Sequence, residues 1–345
     1  MVSFTTWSCV RLMGSRPHGA WHVAEPGYGV VAMRVFVAGS TGAIGKSLVP
    51  LLVESGHEVV ALSRASQKAK GLEALGAKVA VADAFDKEGL TAAIRRAEPE
   101  IIIHQLTALA GVANFRRFDA KLALTNRLRT EVTDTMLAAA RLVGARRVIA
   151  QSFCGWPFAR EGGPVKTEED PLDQDPPASF RRTLAAIRYL EEAVRRATDL
   201  EALALRYGIL YGPGTAITKG GSIVDLIRKR RMPIVGDGAG IWSFIHIQDV
   251  ARATVAAVSH GAPGIYNIVD DEPAAVSTWL PFLADTLGAP PPRRVPTWIG
   301  RLVIDDGGVS MMTKIRGGSN AKAKRELEWQ PIYPSWRRGF AEGLG

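Results

Sequence analysis

The sequence predicts an α/β protein in which a parallel β-sheet, wrapped on both faces by helices, carries a smaller C-terminal lobe. Three observations point there. From Arg34 onward, short β-branched runs alternate with helical segments, the pattern left by strands joined through crossover helices. A chain of 345 residues, 47% of them hydrophobic and 22% charged, is long enough to bury one large core or two joined ones. After residue 210 the texture shifts to Gly- and Pro-rich turns, short strands and isolated helices, which sets off the second lobe.

Residues 1–32 carry Gly, Pro, Trp and His without periodicity, and lack the continuous apolar stretch of a secretory signal. They read as a disordered leader or upstream extension ahead of Met33. The sheet domain is then expected over 33–210 and the smaller lobe over 211–345. Strands are expected at "RVFVA" (34–38), "EVVAL" (58–62), "KVAVA" (78–82), "EIIIH" (100–104), "RRVIA" (146–150) and "LALR" (203–206). Helices are expected at "EGLTAAIRRA" and along the segment 117–143, which stops at Gly144 as a C-terminal cap should. In the second lobe "WSFIHI" and "IYNIV" read as short strands.

No apolar run approaches the ~18 residues that a membrane helix needs. Cys9 and Cys154 are too far apart in sequence to suggest a disulfide framework or a metal cluster, which makes the cytoplasm the default compartment. The formal charge of +9 comes from scattered arginines with one dense run, "RKRR" at 228–231. That run reads as a solvated helix end, or else as a site for an acidic or phosphorylated ligand. The partner expected is a small molecule, with no nucleic acid, no membrane and no metal.

The most specific local signal is "VFVAGSTGAIGKSLVPLL", where Gly39, Gly42 and Gly45 fall between a strand and an amphipathic segment. Gly39 lets the chain turn sharply, Gly42 lets backbone approach a phosphate, and Gly45 lets the helix pack closely. The helix N-terminus then offers free N–H groups and the positive end of its dipole to an anion. A dinucleotide held by its pyrophosphate is the ligand that such a turn suits, and the whole becomes a Rossmann-type, doubly wound sheet.

The spacing resembles the T-G-x-x-G-x-x-G turn of the short-chain dehydrogenase/reductase superfamily, with Ser40 and Thr41 inside it. "HQLTA" (104–108), "RYGILYGPG" (206–214), "FIHIQDVARA" (244–253), "IYNIVDDEPA" (265–274) and "SNAKAKRELEWQPIYPSW" (319–336) follow in order. Together they resemble the extended, NAD-dependent epimerase/dehydratase branch. The resemblance implies cofactor contacts at Gly39, Thr41, Gly42, Ala43, Ile44 and Gly45, then at Arg64 and Lys68. It further implies contacts at Asp83 and Ala84, and at Leu106 and Thr107. It also implies dimerisation through helices 117–143 and 179–197, and contacts between lobes at His246 and Asp249.

The second strand ends "ALSRASQK". A carboxylate at that tip would select NAD through the ribose diol, whereas Arg64 and Lys68 suit a 2′-phosphate. NADP is therefore favoured over NAD. Both cations also suit a plain solvated surface, and Asp83 also suits a helix N-cap.

The family's Tyr and the Lys four residues later are missing: no tyrosine here has Lys four positions on. On the expected helix, "ASFRRTLAAIRYLEEAV", Leu184, Ile187, Leu190 and Val194 form an apolar stripe instead. Candidate substitutes are Arg188 as a ribose clamp, Tyr211 as a hydroxyl donor or a packing anchor, and Ser152 as an oxyanion-type donor or strand cap. A one-residue shift would put Phe153 in the place of Ser152. Lys166, in the loop 155–177, can reach over the site or lie on the surface, and the loop's acidic run "TEEDPLDQD" is expected to face solvent. The leading reading is an oxidoreductase that moves hydride to or from a small carbonyl or alcohol. The alternatives are an NAD-dependent sugar-nucleotide epimerase or dehydratase, and a non-catalytic dinucleotide sensor.

Overall fold

The computed structural model describes residues 32–65, 67, 69–109 and 117–345. The leader and Lys68 lie outside the described residues. Seven strands form one parallel sheet: β1 (Arg34–Ala38), β2 (Glu58–Ser63), β3 (Lys78–Val81), β4 (Ile101–His104), β5 (Arg147–Phe153), β6 (Glu201–Tyr207) and β7 (Gly264–Ile268). Their order across the sheet is β3-β2-β1-β4-β5-β6-β7. The order reverses direction between β1 and β4, and ligands of such sheets bind outside the carboxyl ends at that point.

Side-chain alternation along each strand sends apolar groups to both faces. Val35 and Val37 of β1 join one core with α1 (Ala43–Glu54) and α5 (Ile247–Ser259). Phe36 and Ala38 join the opposite core with α2 (Lys87–Ala97), α3 (Thr133–Val143) and α4 (Arg181–Arg196). Helices thus cover both faces of the sheet. The segment expected as one helix over 117–143 is broken by a five-residue π turn at Leu128–Val132 before α3. It does end at Gly144, in the left-handed conformation that a C-cap glycine favours.

Residue 210 is not a single crossing between lobes. The chain returns to the sheet domain with α5, which packs on α1, and with β7, which pairs with β6. Residues 32–345 accordingly form one compact unit. The C-terminal lobe has its own aromatic core, in which Trp242, Trp279, Trp336, Phe244 and Phe340 are buried.

Two charged groups are deeply buried at the carboxyl end of the sheet. Glu191 on α4 accepts two hydrogen bonds of 2.7 Å from Arg206 on β6, and the Ser152 hydroxyl of β5 donates to the same carboxylate at 2.7 Å. Arg206 and Glu191 are each about 1% exposed, so the pair joins three elements without water between them. Nearby Arg129 is also buried, and burial pulls its guanidinium down to about 10.

Removing one partner of such a pair leaves an uncompensated buried charge. Glu191→Ala is expected to lower folding stability by about 3–5 kcal/mol in urea unfolding. Ser152→Ala, which removes one hydrogen bond, is expected to cost about 1 kcal/mol. Equal effects from the two variants would show that the ion pair is not the joint.

Candidate active site

A cleft of about 770 Å³ opens along the carboxyl ends of β1, β4, β5 and β6. Its first wall is the glycine turn. Gly39 has φ +102°, and a Cβ there would stand 2.6 Å from the carbonyl oxygen of Gln105. A Cβ on Gly45 would meet the main-chain oxygens of Gly39 and Ser40 at 2.4 Å, so Gly45 serves the closeness of the turn to its own helix. Gly42 is less confined, with only the Gly39 oxygen at 3.2 Å. It forms the N-cap of α1 with no side-chain hydrogen bond there, which leaves the first amides of the helix available to an anion.

Thr41, Ala43 and Ile44 complete this wall. Arg64, at the tip of β2, lines the same cleft and is exposed. Ser63, beside it, turns its hydroxyl to the Ala65 carbonyl, and no carboxylate stands at the tip. Asp83 and Ala84 line the next position. The Asp83 carboxylate accepts from the Phe85 amide at 2.9 Å, while Asp86 is the cap of α2. Leu106 and Thr107 follow β4. Buried His104 shapes that stretch: its Nε2–H donates to the Leu128 carbonyl at 3.1 Å and its Nδ1 accepts from the Leu106 amide at 3.3 Å. Burial pushes its pKa down to about 4, so the ring stays neutral and the anchor holds at physiological pH.

The far end of the cleft is aromatic. Phe118, Phe153, Trp156 and Trp242 line it with Leu109, Ile209 and Met311. Phe118 and Trp156 meet edge to face at 5.7 Å, and the Trp242 N–H donates to the Met311 carbonyl at 2.8 Å. Polar lining comes from Gln105, Gln151, Tyr207, Thr215 and Ser222. Gln105, Gln151 and Tyr207 are buried. Burial raises the Tyr207 phenol to about 12, so it keeps its proton at neutral pH.

The three substitutes for the missing Tyr and Lys do not line this cleft. Ser152 faces α4 and bonds to Glu191, because strand alternation gives the cleft to its neighbours Gln151 and Phe153. Arg188 lies over the loop 155–177, with its guanidinium on the carbonyls of Leu172 and Asp173. Tyr211 is fully buried in the second lobe, edge-on to His246 and Phe340, and burial drives its phenol far above the ordinary range.

Lys166 is buried and paired with Asp170 at 3.1 Å. The acidic run is only partly solvated: Glu168 accepts from the Asn267 amide at 2.7 Å, and Asp173 pairs with Arg160 at 2.9 Å. His246 and Asp249 tie the C-terminal segment down. The His246 ring meets the Gly343 carbonyl at 3.0 Å, and the Asp249 carboxylate accepts from the amides of Ile332 and Tyr333.

Sequence reading missed Gln105, Gln151, Trp156 and Tyr207 as lining residues. For the two glutamines the available signal was a polar side chain at an inward position of an apolar strand, in "IIIHQ" and "RVIAQ".

A glycine turn at the switch point of a 3-2-1-4-5-6-7 sheet, with a cleft running into a second lobe, defines a dinucleotide-dependent enzyme. The model of the NAD dependent epimerase/dehydratase family matches residues 35–269, and the chain belongs to that family. It is 42% identical over 311 residues to a 3-diazoavenalumate denitrifying reductase from a Streptomyces species, covering 89% of this chain and 99% of that protein. Among solved structures, a human epimerase family protein with NADPH superposes with a TM-score of 0.70 at 19% identity, over 90% of this chain and 99% of that one. The Thermus thermophilus UDP-glucose 4-epimerase with NAD gives 0.69 at 22% identity, over 90% and 98%. The extended short-chain dehydrogenase/reductase fold is thereby established, as is a nicotinamide dinucleotide cofactor. No described helix is long and apolar enough to cross a membrane.

The glycine positions separate folding from binding. Gly39→Ala is expected to destabilise the protein, since its Cβ lands on the Gln105 backbone. Gly42→Ala is expected to leave the unfolding midpoint nearly unchanged while weakening dinucleotide binding about tenfold or more, read by calorimetry. Unchanged affinity in Gly42→Ala would move the pyrophosphate away from this turn.

Proposed function

We propose that the protein is an NADP(H)-dependent reductase that delivers hydride to a planar aromatic substrate whose reducible group is already cationic, an arenediazonium being the case that fits. The observation that carries this reading is the substrate end of the cleft. It is walled by aromatic rings, and its described lining residues include no acid and no base with a proton to exchange at neutral pH.

Arg64 supports NADP. Its guanidinium makes no ion pair among the described residues and lines the cleft at the tip of β2, where it suits a 2′-phosphate. The glycine turn would hold the pyrophosphate, and Leu106 and Thr107 would flank the chain's path toward β5. When bound, the reduced dinucleotide supplies a hydride. A ketone accepting that hydride also needs a proton at oxygen, which members with the Tyr and Lys pair give from the phenol. Here the helix, aligned by Glu191, holds Thr183, whose hydroxyl donates to Asp119 at 2.6 Å, and buried Ile187, and aligned by Glu192 it holds buried Leu184 and Arg188, so neither alignment supplies a phenol. Thr107, Thr215 and Ser222 bring only neutral hydroxyls.

An arenediazonium needs no proton from the protein. Hydride adds to the terminal nitrogen, the carbon–nitrogen bond breaks, dinitrogen leaves and the proton moves to the ring carbon. Cation plus hydride becomes arene plus dinitrogen, with atoms and charge balanced. The name of the Streptomyces relative, a denitrifying reductase of a diazo compound, supports the same acceptor class here. A sugar nucleotide suits the cleft poorly, because Arg64 is the sole cation among the described lining residues and none faces a second diphosphate. We also infer a homodimer through α3 and α4, whose outer faces expose Leu142 and Tyr189.

Two outcomes test this. Arg64→Ala is expected to raise the Kd for NADPH about 10- to 100-fold and leave that for NADH unchanged; an equal effect on both would remove the NADP assignment. With 4-carboxybenzenediazonium, NADPH oxidation above the enzyme-free rate should match dinitrogen release one for one. Turnover of the matching aryl ketone, with no dinitrogen from the diazonium, would overturn the acceptor class.

A further inference from the structure

The run Arg228–Arg231, which the cleft leaves unused, is exposed along its whole length. It ends the helix Ser222–Arg228, where the Arg231 amide donates to the Leu226 carbonyl at 2.8 Å. Arg230 sits there at φ +53°, a conformation that glycine or asparagine adopts more readily. Three residues beyond the run, Ile234–Val235 pairs in parallel with Arg294–Val295, and the Ile234 amide donates to the Arg293 carbonyl at 2.8 Å. This short ribbon brings exposed Arg293 and Arg294 beside the chain that leaves the run.

The same chain then enters the helix Thr297–Thr313. Gly300 faces inward, since a Cβ there would stand 2.6 Å from Val235. Trp298 and Leu302, two residues to either side, fall about 160° round the helix from it. They are 63% and 71% exposed, and neighbouring Val303 is 56% exposed. Over 222–237 and 290–306 there are seven cations and four carboxylates. Asp306 pairs with Arg301 at 3.0 Å, Asp305 accepts from the Arg117 amide and Asp237 from the Ala239 amide. The six other cations, Arg228 to Arg231 with Arg293 and Arg294, form no ion pair among the described residues.

We propose that this ribbon and helix form a docking surface for an anionic lipid bilayer, with the six cations on the phosphate headgroups and Trp298, Leu302 and Val303 at the hydrocarbon boundary. Unpaired positive charge beside a projecting tryptophan and leucine is the combination that such an interface takes up. A nucleic acid would answer the cations and offer the aliphatic side chains nothing. A second copy would set the positive patch against its own image. An acidic protein would need a groove for side chains that project this far. No described helix is long and apolar enough to cross a membrane, so the contact is surface attachment, and it replaces the expectation of no membrane partner. Ser222 and Ile223 of the first helix and Met311 of the second line the cleft, so the docking elements are also walls of the substrate end.

The test sediments the full chain with vesicles of phosphatidylcholine alone and of equal parts phosphatidylcholine and phosphatidylglycerol. Binding to the anionic vesicles is expected to exceed that to the neutral ones about tenfold or more at about 50 mM salt, and to fall at about 0.5 M. Arg231→Glu with Arg294→Glu should cut it about tenfold or more, and Trp298→Ser with Leu302→Ser severalfold, with unfolding midpoints unchanged. Lys229→Glu, which lies outside both the ribbon and the second helix, repeats the charge test without touching either and should weaken binding severalfold. No preference for anionic vesicles, or binding that survives either pair of substitutions, overturns the proposal. A monomer–dimer equilibrium shifted by Trp298→Ser with Leu302→Ser also overturns it and gives the face to a second copy. Duplex DNA that displaces the vesicles from the wild type and from that apolar variant equally well overturns it in favour of a polyanion.

Discussion

The site depends on the close approach of two main-chain segments, the turn after β1 and the exit of β4. Gly39 presses on the Gln105 carbonyl at a distance that no Cβ could share, and the Gln105 amide donates back to Ala38 at 2.8 Å. This one contact has two effects. It closes the turn so that the start of α1 is offered to a pyrophosphate, and it fixes where the Gln105 side chain begins its reach toward β6. The anion cradle and the start of the Gln105 side chain are therefore set by the same steric rule, which only glycine at position 39 meets.

The inner face of α4 carries packing and structural contacts where the resemblance implies a Tyr and a Lys. Leu184, Ile187 and Leu190 are packed in the cores, Thr183 is held by Asp119, and Glu191 is committed to Arg206 and Ser152. A helix that elsewhere in the superfamily presents a phenol and an ammonium here presents structure. Arg188 on this helix is tied to the carbonyls of loop 155–177 instead. The charged groups near this helix thus hold elements together and are withdrawn from the cleft.

What could be read in the sequence follows from the range of the forces involved. The glycine turn, the alternation of strands and helices and the cation at position 64 depend on local steric rules and on hydrophobic alternation, and these leave a mark within a few residues of themselves. Ser152 was legible only as a residue near the site, because its face of the sheet turns on a register of one position. The orientation of the Gln105 amide was not legible, because it depends on Tyr207, 102 residues later, and through it on Thr254. The return of β7 to the sheet was not legible for a similar reason, since it pairs with β6 from beyond a second-lobe excursion. Long-range hydrogen bonding decides such questions, and a single sequence does not display it.

Proton economy links these features to function. Reducing a carbonyl consumes one hydride and one proton, so an active site for it must hold a proton at a defined atom. On the proposed reading the absence of a Tyr with Lys four residues on removes that supply, while the Tyr207 phenol gives its proton to Thr254. A site without a proton to give favours acceptors whose charge is neutralised by hydride alone. A wall of aromatic rings adds attraction for positive charge to that lack of acid on this reading. On the proposed reading, the same absence that would make a ketone a poor substrate would make a cationic arene a good one, and the missing pair would decide which electrophile the fold can use.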